Sequence, residues 1–408
     1  MPRPRQVIRA TIGIVTGLML LIASMAAVAW WWARPARPDG FYNPPAAVPV
    51  TPGALLRSEP FTRGVPASAE AWRILYTTTR DARTPALASA VVLASAHRPD
   101  GPRPVIAWAH GTTGVVQGCG PSLLDEYLVS GGLPALDQIV AQGWVLVATD
   151  YAGLGTAEPA PFLIGEGEAR SVLDAVRAAR QLDGVSLENR VIVWGHSQGG
   201  HAALWTGAVA TSYAPDVDIV GVAALAPASD LVALVEAAQD TPIGEILSAY
   251  IVSAYSQVYG DVRFEEMVRP GARLLARDIA GRCLAGREAL LSVVEAMLLG
   301  GPIFSADPTT GALAERLAEN TPRKRVNSPL LIAQGEADQL VLPSVQQRFV
   351  TERCVDGQSL EYRTYGGQDH MGLVSQGSAL TGELVAWTHA RLAGMPPPSG
   401  CPVVARSG

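Results

Sequence analysis

Charge is scarce in this chain. Asp, Glu, Lys and Arg together make up 17% of its 408 residues and leave a net charge of −6, with no basic stripe that would track a phosphate backbone. A nucleic-acid partner is therefore not expected. A G-x-x-x-x-G-K phosphate cradle is missing, as is any repeat of fixed period, which removes nucleotide chemistry and solenoid architectures from consideration. Cysteine is limited to Cys119, Cys283, Cys354 and Cys401, and none of these forms a C-x-x-C pair, which argues against a thioredoxin-like or zinc site. What the chain has in quantity is apolar residues, 48% of the total, enough to bury one large α/β core or two smaller ones.

The N-terminus concentrates that apolarity. Arg3, Arg5 and Arg9 precede an uncharged stretch from Ala10 to Trp32, the pattern of an export signal or a membrane anchor. Its length exceeds the usual signal-peptide core, and Trp30, Trp31 and Trp32 would suit a membrane interface, which favours an anchor. Ala27-Val28-Ala29 keeps a cleavable signal open. Residues 1–32 are thus expected to contact the membrane, with the rest facing the periplasm or cell exterior, or secreted after cleavage. Arg34 and Arg37 weaken the positive-inside asymmetry that would orient it. Four cysteines in an exported chain favour two disulfides, and spacing leaves all three pairings open.

From Trp72 onward, short β-branched runs alternate with helical patterns, as in a parallel sheet wound with helices. Residues 74–79 and 90–94 read as opening strands that pair before the parallel part begins. Further strands are expected at 105–109, 144–149, 191–194, 219–225, 330–334 and 360–365. Between Glu166 and Leu182, apolar residues recur at helical spacing, with acids early and Arg177 and Arg180 late, as the helix dipole prefers. Residues 201–209 and 380–392 also read as helices. Alternation stops over 230–322, where Ile243–Val258 and Glu288–Leu299 carry more apolar residues than a one-faced helix requires and should pack on more than one side. A helical cap over the active site would account for them. Residues 33–66, rich in Pro and Ala, read as a spacer on composition alone.

The strand at 191–194 runs into Gly195-His196-Ser197-Gln198-Gly199, a G-x-S-x-G turn. Such a turn reverses a strand into a helix so that one Ser Oγ is presented, and only glycine fits the crowded backbone on either side. Ser197 is the expected nucleophile of a serine hydrolase. A serine hydroxyl requires a histidine base held by a carboxylate. Of the six histidines, His97 precedes a Pro/Gly-rich turn, His389 lies in the last helix, His196 and His201 flank the nucleophile, and His110 belongs to the loop expected to shape an oxyanion hole. His370 remains, in the loop after the last strand. Asp338 is the favoured acid, with Glu336 its rival, because the acid should lie between Ser and His in chain order. Asp369 would point away from its neighbour's ring. The expected oxyanion donors are the backbone N–H of Gln198 and that of Thr112 or Thr113 in His110-Gly111-Thr112-Thr113-Gly114. This chemistry needs neither metal nor cofactor.

Four stretches resemble the secretory lipase family of α/β-hydrolases: Ala107 to Gly114 with Cys119-Gly120-Pro121-Ser122, Ala148-Thr149-Asp150-Tyr151-Ala152-Gly153-Leu154-Gly155, Trp194 to Gly200, and the Asp338 and His370 loops. The family usually has Cys-Ala-Pro-Ser where this chain has Cys119-Gly120-Pro121-Ser122. Phe41-Tyr42-Asn43-Pro44-Pro45 and Pro52 to Ser58 resemble its usual opening, so residues 33–66 should be ordered against the domain rather than form a spacer. The resemblance implies an α/β-hydrolase fold: a mostly parallel central sheet with flanking helices, a core of 67–229 and 323–408, and a helical cap (lid) at 230–322 after the sixth core strand. It also implies the pairs Cys119–Cys283 and Cys354–Cys401, and an exported lipase or esterase acting on lipid or small-molecule esters. An acyltransferase with the same triad, and a catalytically silent hydrolase fold used for binding, are the alternatives.

Overall fold

The computed structural model describes residues 4–97, 101–126, 128, 131–239, 241–286 and 288–406. Arg3 lies outside the described residues, as do the side chains of Arg5, Arg9, Ala29 and Trp32. Helix α1 (Pro4–Trp32) exposes Ile14, Leu18, Leu20 and Ile22. Among the described residues no helix is long and apolar enough to cross a membrane. The expected membrane anchor therefore gains no support.

One ten-stranded sheet organises the rest. Its strands are β1 (Leu55–Phe61), β2 (Ala69–Thr79), β3 (Pro85–Ser95), β4 (Arg103–Ala109), β5 (Val145–Ala152), β6 (Leu187–His196), β7 (Asp218–Leu225), β8 (Leu330–Gly335), β9 (Glu361–Tyr365) and β10 (Val403–Arg406). They lie in the order β1-β2-β3-β5-β4-β6-β7-β8-β9-β10. The first three pairings are antiparallel and all those from β5 to β10 are parallel. The opening strands thus pair with each other before the parallel part, as their sequence suggested.

The period of two along each central strand divides the core between two faces. Val105, Ala107, Val191 and Val193 point to one face, against α3 (Gly165–Ala179) and α4 (Gln198–Tyr213). Ile106, Trp108, Ile192 and Trp194 point to the other, against α2 (Leu136–Ala141) and α12 (Ala379–Leu392). Trp194 Nε1 donates to Thr388 Oγ1 of α12 at 3.1 Å, so this large buried ring is also polar-satisfied. Phe349 and Val350 of α11 (Pro343–Val355) complete the first face.

Parts of residues 33–66 lie against the sheet domain. Phe41 and Tyr42 are buried, Tyr42 Oη shares a 2.8 Å hydrogen bond with Ser122 Oγ, and β1 is an edge strand on β2. Between β7, the sixth strand legible in the sequence, and β8 the chain forms α5 (Leu231–Ala238), α6 (Pro242–Val258), α7 (Phe264–Met267), α8 (Arg273–Ala280), α9 (Ala289–Leu298) and α10 (Gly311–Asn320). Ile246, Tyr250, Ile251, Ile279, Leu313 and Leu317 of this insertion share an apolar cluster with Val115, Phe162, Leu163 and Val341 from the rest of the chain. Helix α6 is buried on nearly every side, as its composition predicted. Helix α9 is not: it packs mainly on α6 and α8, buries Ser292, Glu295 and Ala296, and leaves Leu290, Val294, Met297 and Leu298 exposed.

Both disulfides have the pairing that the resemblance implied. Cys119–Cys283 ties the loop after β4 to the insertion, and Cys354–Cys401 ties α11 to the C-terminal tail.

Candidate active site

Strand β6 ends at His196 and α4 begins at Gln198, leaving Ser197 alone to turn the chain. It does so at φ 58° and ψ −118°, a conformation that side-chain-bearing residues rarely adopt. The turn is closed by Ser197 N donating to Leu225 O (2.9 Å) and by His201 N and Ala228 N donating to Ser197 O (both 3.1 Å). Glycine is obligatory around it: a Cβ on Gly195 would meet Gly199 O at 1.9 Å, and one on Gly199 would meet Ala109 O at 1.9 Å. Helix α4 therefore rises directly from the serine, with its positive end and the orphan N–H of Gln198 at the turn.

The loops after β8 and β9 bring the next two residues together. Ala337 N donates to Gln368 O (2.9 Å) and Glu336 N to Tyr365 O (3.0 Å), which fastens one loop to the other. Asp338 is fully buried and accepts from His370 Nδ1 at 2.7 Å. Its carboxylate also accepts from Leu340 N (2.8 Å), Val341 N (2.9 Å) and Gln334 Nε2 (3.1 Å). Burial by itself would raise its pKa, yet the His370 hydrogen bond and charge and the two backbone N–H groups outweigh burial and hold it below the usual carboxylate value. The rival acids are engaged elsewhere: Glu336 accepts from Thr364 Oγ1 (2.8 Å), and Asp369 accepts from Gly372 N (2.7 Å).

Ser197 and His370 open on one cavity of about 380 Å³. Gly111, Thr112, His196 and Gln198 line it near the serine, and Phe162, Leu163, Leu234, Ile243, Leu247 and Leu284 form apolar walls, the last four from the insertion. Of the two threonines expected to supply an oxyanion donor, Thr112 lines this cavity. Thr113 does not: it is fully buried, and its carbonyl accepts from Leu284 N at 2.8 Å, beside the Cys119–Cys283 bridge.

The other histidines are placed away from this pairing or beside it. His97 is exposed, and His389 packs against Trp144 at 4.8 Å between ring centroids. His110 is buried, with its ring nitrogens facing Gly111 O (2.6 Å) and Asp150 O (3.3 Å), and burial pulls its pKa down to about 4. His196 lies against His370, ring centroids 4.6 Å apart, and its Nε2 donates to His370 O at 3.0 Å. Burial, then repulsion from His370, lowers its pKa to about 3, so it is neutral beside His370.

A second layer escaped the sequence reading. Glu168 and His201 are both fully buried and paired at 2.7 Å, and Glu168 Oε1 also accepts from Gln198 Nε2 at 2.8 Å. His201 Nε2 lies 2.8 Å from Asn320 O, at the end of α10. No motif signals this network, because its members are single polar residues on two helices, α3 and α4, that meet only in the folded chain. A weaker signal existed for Phe162 and Leu163: an apolar pair in a connection otherwise rich in Gly and Pro.

A sharp strand–serine–helix turn on a mostly parallel sheet, with an acid and a histidine on later strand-end loops, defines an α/β-hydrolase fold. Solved structures share it: Candida antarctica lipase A superposes with a TM-score of 0.74 at 19% identity over 90% of this chain and 89% of that one. A rice cell wall degrading esterase from Xanthomonas oryzae gives 0.64 at 20% identity, over 85% of this chain and all of the other. Within that class the chain belongs to the secretory lipase family, whose model matches residues 125–400. Relatives include a secreted triacylglycerol lipase of Malassezia globosa, 24% identical over 89% of this chain and 83% of its own length. Another is a probable inactive lipase of Mycobacterium tuberculosis, 26% identical over 89% and 84%.

Proposed function

We propose that this protein is an exported carboxylic-ester hydrolase that cleaves lipid esters through Ser197, His370 and Asp338. The observation that carries the reading is that Ser197 and His370 face one apolar cavity while His370 Nδ1 is tied to the buried Asp338. That bond leaves His370 Nε2 as the proton acceptor. His370 takes the proton from Ser197 Oγ as the oxygen attacks the ester carbonyl carbon. The carbonyl oxygen gains negative charge and is met by the N–H of Gln198 and by the backbone of the Thr112 loop. His370 then gives its proton to the departing alcohol, leaving an acyl-enzyme. Water, deprotonated by His370, attacks the acyl carbon and releases the acid and Ser197. Residues 230–322 act as a cap whose leucines cover the acyl part. Export is supported by the secreted relatives and by the two disulfides, which persist in oxidising compartments.

A second reading follows from the relative described as probably inactive: the same fold would bind a lipid without cleaving it. Hydrolysis of p-nitrophenyl esters from two to sixteen acyl carbons, with Ser197→Ala as control, separates the two. Release of p-nitrophenol that the alanine variant loses supports the hydrolase; equal rates in both proteins overturn the role of Ser197.

A further inference from the structure

Leu163 is held in a conformation that leucine disfavours. Pro161 to Ile164 form a tight turn, closed by Ile164 N donating to Pro161 O at 2.9 Å, and Leu163 occupies its third position at φ 52°. Glycine or asparagine usually takes such a place, because a Cβ there is crowded by the backbone. Strain of this kind persists where the surroundings fix it and the side chain is needed.

Both conditions are met. The Leu163 N–H donates to Glu168 Oε1 at 2.9 Å, and the Leu163 carbonyl accepts from Tyr255 Oη at 2.8 Å. Glu168 belongs to α3 in the core and is itself immobilised by Gln198 and His201, whereas Tyr255 belongs to α6 in the insertion and is fully buried. The residue is thus fastened from both sides. Its side chain, 3% exposed, lines the cavity that holds Ser197, as do Ile243 and Leu247 from the same α6. Glycine would satisfy the turn better but would leave that wall open.

We infer that Leu163 is a specificity-determining residue, a fixed wall of the acyl site that sets the longest fatty acyl chain turned over efficiently. The inference rests on the proposed ester cleavage. The carboxylate of Glu168 and the hydroxyl of Tyr255 are positioning groups, acting through the Leu163 backbone and not on the substrate.

The test compares kcat/KM for p-nitrophenyl esters of two to sixteen acyl carbons in the wild type, Leu163→Gly, Leu163→Ala and Tyr255→Phe, with near-UV circular dichroism to verify folding. For Leu163→Gly the ratio of long-chain to short-chain kcat/KM should rise about tenfold, the order that one or two apolar contacts supply in discrimination. Leu163→Ala should move the ratio the same way, and Tyr255→Phe, which keeps the side chain but frees its carbonyl, should move it less. If Leu163→Gly does not fold, the alanine and Tyr255 variants decide the matter. Cleavage with an unchanged ratio in the folded variants overturns the role of Leu163 alone. No cleavage of any ester by the wild type overturns the hydrolase reading, and this inference with it.

Discussion

Asp338 and His370 meet at 2.7 Å across 32 positions of sequence, and the acid of the pair is wholly buried while the imidazole reaches the cavity. Two backbone bonds, one to Tyr365 at the end of β9 and one to Gln368 in the loop beyond it, hold them in register, and the carboxylate's other oxygen is occupied by the N–H groups of Leu340 and Val341. The pair is therefore rigid before any substrate arrives.

Replacing Asp338 by Asn keeps the shape but puts an amide where the Nδ1 proton must be accepted, which favours the wrong tautomer of His370. The expected loss in kcat is about 10³- to 10⁴-fold, with a folded protein by circular dichroism. Glu336→Gln, which disturbs only the Thr364 contact, should stay within about threefold. A mild effect of Asp338→Asn alongside a severe one of Glu336→Gln would exchange their roles.

Buried neutral histidines make stability depend on pH. His196 and His110 have pKa values lowered by burial to about 3 and about 4, against an ordinary value near 6.5. Below 6.5 the unfolded chain binds protons at these sites that the folded chain refuses, so stability falls as pH drops from about 6.5 towards 4. Two such sites give a slope of up to about 2.7 kcal/mol per pH unit. Asp338, with its lowered pKa, adds to the loss at still lower pH, whereas Asp150, raised by burial, opposes it. Urea midpoints at pH 7.5, 6, 5 and 4.5 read the slope, and His196→Asn should flatten it by about half.

The parts legible in the sequence were those with a short-range signature. The runs at 105–109, 144–149 and 191–194 are apolar on both faces, as strands covered by helices must be, and they became β4, β5 and the end of β6. The edge strands β1 and β10 were missed because one side of each has no partner: Leu55–Phe61 carries Arg57, Ser58, Glu59 and Pro60, and its pattern looks like loop. Ser197 and its flanking glycines were legible because the backbone itself demands them. The Glu168–His201 pair and the Leu163 turn were not, since their meaning lies in contacts between α3, α4 and α6 that no local pattern encodes.

The two disulfides should differ in what they protect. In the chain-entropy model, the Cys119–Cys283 bridge, 164 residues apart, contributes about 5 kcal/mol and the Cys354–Cys401 bridge, 47 apart, about 4 kcal/mol. The first also holds Leu284 and Ala285, which line the cavity, beside the Thr112–Thr113 loop. C119S/C283S should therefore lower kcat/KM about tenfold as well as stability, while C354S/C401S should lower chiefly stability. Urea midpoints paired with ester kinetics separate these effects; equal kinetic losses in both double variants would detach the bridge from the site.

Gly199 is where the fold and the chemistry impose the same demand. Any Cβ there would lie 1.9 Å from the Ala109 carbonyl, a backbone atom of the strand that leads to the Thr112 loop, so neither partner can yield without moving Ser197 or Thr112. Gly199→Ala should abolish ester cleavage and destabilise the protein by several kcal/mol, on the order of a severe core clash. Gly382, exposed in α12 with open space around it, is the matched control. Alanine there should leave cleavage intact and raise stability by up to about 1 kcal/mol through helix propensity. Thermal unfolding and p-nitrophenyl ester turnover on the two variants test this contrast, and an active, stable Gly199→Ala would mean that the turn around Ser197 is not the one described.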